Sequence, residues 1–89
     1  MKIKKGFILK QLNDDLNVVI AVGEAGSKIN GYVKLTESAV ILWKRLLSGA
    51  TFEELVNVIL AEYDIDEETA KKDVSIFIDM LKTIEALDE

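Results

Sequence analysis

LTESAVILWKRLLSGATFEEL, residues 35–55, holds a helix, the signal that stops it and the start of a second helix. Ala39, Leu42, Trp43 and Leu46 recur at i, i+3, i+4 and i+7, the spacing of one buried helical face. Thr36 is the expected N-cap, since its hydroxyl can accept a hydrogen bond from a first-turn amide that has no partner within the helix. Gly49 stands where the chain must leave the helix through a left-handed residue, the conformation only glycine takes at low cost. Thr51 and Glu54 then form a T-x-x-E capping box. Trp43 is the only tryptophan and falls mid-face, so a core role is expected for it rather than that of a stacking platform for a ligand.

Outward from this stretch, the C-terminal half continues as helix. Phe52, Leu55, Val56, Ile59 and Tyr63 line one face of the second helix, which is expected to end near Tyr63-Asp64. Asp66 is a second N-cap, and Glu67 and Glu68 put negative charge on the positive end of the third helix. Ile65 and Ala70 occupy the two positions of a hydrophobic staple. The third helix is expected to run to about Ile84, with a short acidic tail after it.

The N-terminal half reads as strand. Residues 7–12 and 16–22 form a hairpin around Asn13-Asp14-Asp15, residue types that tolerate turn conformations. In its second strand Leu16, Val18, Ile20 and Val22 share one face, while Asn17, Val19 and Ala21 share the other. Residues 23–27 link to a third strand at 29–35, although Asn30-Gly31 is also compatible with a tight turn. Lys2, Lys4 and Lys5 are read as a solvated, frayed end. There is no internal repeat or low-complexity tract. The expectation is one α+β domain of 89 residues, winged-helix-like, with a three-stranded antiparallel sheet followed by three α-helices.

Composition narrows the chemistry. With no Cys and no His, the chain lacks thiolate metal ligands, disulfides and the commonest neutral-pH general base. An enzyme would have to use carboxylates, lysines or hydroxyls. Glu53/Glu54 and Glu67/Glu68 are adjacent pairs that diverge by about 100° on a helix, so they do not converge on a substrate. No metal or cofactor is expected. A net charge of −5 argues against nucleic acid as a partner. No apolar run is long enough to span a membrane and the N-terminus is too charged for a secretory signal, so a cytoplasmic location is expected.

The third helix is more apolar than its core face requires. Ala70, Val74, Phe77, Ile78, Leu81 and Ile84 make that face, while Ile76 and Met80 form a neighbouring stripe with Thr69 and Asp73. A wide core or a homodimer contact would account for the stripe. The alternative is one wall of a groove for a peptide, a use to which unbranched, adaptable Met is suited. The opposite wall would be the third strand, whose unpaired edge could accept an added strand, with Tyr32 and Lys34 marking it or standing simply as solvent-facing residues.

Three runs together resemble the PqqD-like family: Leu35-Thr36-Glu37-Ser38-Ala39 with Leu42-Trp43, Leu46-Leu47-Ser48-Gly49-Ala50-Thr51 with Glu54-Leu55, and Tyr63-Asp64-Ile65-Asp66 with Ala70, Asp73-Val74, Phe77-Ile78 and Leu81. The likeness extends over nearly the whole chain, including Gly23-Glu24-Ala25. Thr36 and Ser38 replace the usual Asn and Gly of that family, and Ile84-Glu85-Ala86-Leu87 replaces its Gly-Leu-Val-like tail. The resemblance implies a non-catalytic recognition element. Such a domain would bind the leader of a ribosomally made precursor peptide as an added strand between the third strand and third helix. It would present the precursor to a modifying enzyme such as a radical S-adenosylmethionine protein, a cyclase or a protease. Carried over by position, the contacts would come from Ile29, Tyr32, Val33, Lys34 and Leu35 on the strand and from Lys72, Asp73, Ile76, Phe77 and Met80 on the helix. The competing reading is a winged-helix DNA-binding regulator, whose reading helix would then begin with the acidic Asp66-Glu67-Glu68.

Overall fold

The computed structural model describes residues 1–22 and 32–88. Among them the order is β1 (Lys2–Ile3), β2 (Phe7–Asn13), β3 (Leu16–Ala21), β4 (Tyr32–Leu35), α1 (Glu37–Leu46), α2 (Phe52–Glu62), α3 (Glu67–Thr83) and β5 (Leu87–Asp88). The main sheet is antiparallel with order β2-β3-β4, so β4, the third strand of the sequence reading, is an edge. The proposed start of that strand at residues 29–31, and the link before it, lie outside the described residues.

Helix ends form where local chemistry dictates. The Ala39 amide donates to Thr36 Oγ1 at 3.2 Å, and the Thr69 amide donates to Asp66 Oδ1 at 2.8 Å. Both halves of the Thr51/Glu54 capping box are made, at 2.9 and 3.1 Å. Gly49 has φ +90°, as the turn between α1 and α2 demands. Arg45 reaches across that turn to Glu54 Oε2 at 2.9 Å.

The core lies between the sheet and the helices. Trp43, Leu42, Leu46, Leu55 and Ile59 are almost fully buried, as are Ala70, Val74 and Leu81 of α3. Phe52 departs from its expected place on the inner face and is 38% exposed. It is the first residue of α2, where a side chain leans back over the preceding turn rather than onto the neighbouring helix.

The two termini correct the expectation of a frayed end and a free acidic tail. Lys2–Ile3 pairs antiparallel with Leu87–Asp88, burying Ile3 and Leu87. The Met1 amino group donates to the Ala50 carbonyl at 3.0 Å, and the Lys4 amide donates to the Ala86 carbonyl at 2.8 Å. Glu85, at φ 57°, reverses the chain after α3. The Ala86 and Glu85 amides then donate to the carbonyls of Leu81 and Lys82, the bonding of a Schellman cap.

The hairpin runs 7–13 and 16–21, with Asn13 Oδ1 accepting from the Asp15 amide at 2.9 Å. Its faces divide as the alternation requires, but the less apolar set points inward. Asn17, Val19 and Ala21 face the helices because their partners there are Phe7, Leu9, Val33 and Leu35. Leu16, Val18, Ile20 and Val22 face outward.

Asp66 and Glu54 accept amide hydrogen bonds at helix starts, which lowers both carboxyl pKa values. For Glu54 the Thr51 bonds lead and Arg45 adds to them; for Asp66 the Thr69 bonds lead. A lowered folded-state pKa contributes stability above the unfolded value, and that contribution is lost as pH falls through the folded value. The double variant Asp66→Asn, Glu54→Gln should therefore melt below the parent at neutral pH, with the gap closing on acidification below about pH 4. Thermal unfolding followed by circular dichroism across that range checks this.

Candidate functional site

Beside the free edge of β4 lies a groove of about 340 Å³. Its floor and walls come from three elements: Lys34 and Leu35 of β4, the cap Thr36 with Ser38, Ala39 and Leu42 of α1, and Asp73, Ile76, Phe77 and Met80 of α3. The pattern follows from helix geometry. Phe77 is one of the buried core residues of α3, whereas Ile76 and Met80, four residues apart, form the adjoining stripe. Ile76 stays 60% exposed and Met80 half-buried. Leu42 and Phe77, at 1% and 4% exposure, are core residues whose outer surfaces close the bottom of the groove.

The groove is apolar with a charged lip. Lys34 stands on one side and Asp73 on the other, and among the described residues neither makes an ion pair. No described residue fills the groove. Among the described residues β4 pairs with β3 on one side only, so amide and carbonyl groups on its other side have no described strand to bond. An extended peptide laid there would find main-chain partners on β4 and apolar contacts from α3.

Six of the ten residues named from sequence line this groove: Lys34, Leu35, Asp73, Ile76, Phe77 and Met80. Val33 is in β4 but faces the core, and Tyr32 lies on the outer face, 55% exposed. Lys72 is exposed on α3 without lining the groove, and Ile29 lies outside the described residues. Sequence reasoning missed Thr36, Ser38, Ala39 and Leu42, because Thr36 read as a helix cap, Ser38 only as a departure from the family pattern, and the other two as a core stripe.

A smaller depression of about 250 Å³ adjoins it, lined by Thr36, Glu37, Ser38, Ile59, Tyr63, Ile65 and Asp73. The Tyr63 hydroxyl is buried without a hydrogen-bond partner among the described residues. Burial foremost, then Glu37 and Glu62, raise its pKa. Among the described residues no group of three or more His, Cys, Asp or Glu could hold a metal ion, and no helix is long and apolar enough to cross a membrane.

The division between groove wall and core is measurable. Phe77→Ala should cost about 3–5 kcal/mol of stability, while Ile76→Ala should stay within about 0.5 kcal/mol of the parent. Chemical denaturation of the two variants beside the parent provides the comparison.

Two solved structures share this fold. TbiB1, solved in complex with the TbiA(beta) leader peptide, is 30% identical, with a TM-score of 0.78 over 99% of this chain and 95% of that one. A second, "Lasso peptide synthetase B1 complexed with the leader peptide", shares the fold at 22% identity, with a TM-score of 0.71 over 92% of this chain and 89% of that one. No curated protein sequence matches. The family model described as coenzyme PQQ synthesis protein D (PqqD) matches residues 11–86, and the chain belongs to that family.

Proposed function

We propose that this chain is a non-catalytic adaptor. It binds the leader segment of a ribosomally synthesised precursor peptide by strand addition between β4 and α3, and delivers the precursor to a modifying enzyme such as a radical S-adenosylmethionine protein, a cyclase or a protease. The observation that carries this reading is the open edge of β4 running beside an apolar groove. The two solved structures that share this fold, both complexes with a leader peptide, support it.

In this reading the leader takes main-chain hydrogen bonds along the free edge of β4, residues 32–35, with Ile29 as a further contact. An apolar leader side chain enters between Ile76, Phe77 and Met80, against Leu42. Lys34 and Asp73 select for opposite charges along the leader, and Lys72 extends the charged lip of α3. Exposed pairs of this kind set register more than affinity. Buried apolar contact supplies most of the binding energy, at roughly 25 cal/mol per Å² before the cost of ordering the peptide.

A DNA-reading role has no comparable support. The helix that would enter a groove of DNA buries Ala70, Val74, Phe77, Ile78 and Leu81 in the core and opens with exposed Glu67 and Glu68. Negative charge there repels phosphate.

Calorimetry with the leader of the precursor encoded beside this gene tests the proposal. Ile76→Asp should weaken leader binding at least tenfold, about 1.4 kcal/mol, with the fold intact because the side chain is already exposed. Unchanged affinity would remove the groove as the site.

A further inference from the structure

The face of the main sheet turned away from the helices carries an apolar surface that the leader groove does not use. Ile8, Ile20 and Tyr32 stand in register across all three strands. Ile8 is 46% exposed and Tyr32 55%, and Val22 beside them is 43% exposed. The next row on the same face is Lys10, Val18 and Lys34, with Val18 buried between the two lysines. Long lysine stems can cover such a residue while their ammonium groups stay in water.

Charge on this sheet has one sign. β2, β3 and β4 contain Lys10 and Lys34 and no acidic residue, in a chain whose net charge is −5. Neither lysine makes an ion pair among the described residues. The face therefore matches an apolar patch rimmed with carboxylates. A second copy of the chain is a poor occupant, because a two-fold contact through this face sets the same lysine-bearing patch against itself. Two lysines are also too few to hold nucleic acid.

Position adds a second argument. A peptide that lengthens the sheet at β4 turns alternate side chains to this same face, beside Tyr32 and Lys34. A protein lying across the face would then touch sheet and leader together. We infer that the outer face of the sheet is the docking surface for the modifying enzyme, which meets Ile8, Ile20 and Tyr32 with apolar side chains and Lys10 with a carboxylate, while Lys34, on the groove lip, stays with the leader. This inference rests on the adaptor reading and names the second surface such an adaptor needs.

The test uses the full chain, the leader peptide and the modifying enzyme encoded beside this gene, titrated separately. Ile8→Asp and Lys10→Glu should each weaken enzyme binding at least tenfold and leave leader affinity within twofold, because neither residue lines the groove. Enzyme affinity unchanged in both variants, or absent in the parent, overturns the proposal. So does a parent dimer in sedimentation velocity that Ile8→Asp dissociates, since the occupant would then be a second copy. Failure of the parent to bind leader refutes the adaptor reading instead, and the two titrations keep these outcomes apart.

Discussion

A sheet of three strands cannot satisfy its own edges. β3 is paired on both sides, but β4 offers one side of its backbone to no strand among the described residues. A short exposed edge usually invites charge or cover as protection against unwanted pairing. Here the edge runs beside a groove walled by α3, with Ile76 exposed on that wall. An unpaired ladder next to apolar surface is the geometry on which the proposed strand addition rests.

The rest of the molecule keeps that edge in place. Trp43, Leu42 and Leu46 fix α1 in the core, and Thr36 caps α1 directly after β4 ends at Leu35. The strand therefore enters the helix without slack. The capping box and Arg45 set the turn into α2. The buried face of α3, from Ala70 to Leu81, then presents Ile76 and Met80 at the groove. The clasp of β1 against β5 ties both ends of the chain to this core.

Much of this was legible in the sequence because it is local. N-caps, the capping box and the glycine turn depend on residues three or four apart, and each formed as read. The apolar stripe of Ile76 and Met80 was legible for the same reason. What escaped was long-range or two-sided. Pairing Ile3 with Leu87 leaves no periodic trace in two-residue strands. The reversal after α3 is made by Glu85, where a glycine would have announced it. Alternation in β3 separates two faces without saying which is inner, because Val18 and Val19 are equally apolar and the choice is made by partners in β2 and β4. Leu42 and Ala39 show why the groove was half seen: one side chain can belong to the core and still form a groove floor.

The central claim is that a leader peptide binds by lengthening the sheet at β4. Amide hydrogen exchange, read residue by residue with and without the leader of the neighbouring precursor, addresses that claim most directly. Amides of Tyr32–Leu35 that exchange freely in the unbound chain should become protected on leader binding, while those of β2 on the opposite edge keep their rates. Protection that appears along β2, or on α3 with none in β4, would contradict strand addition at this edge.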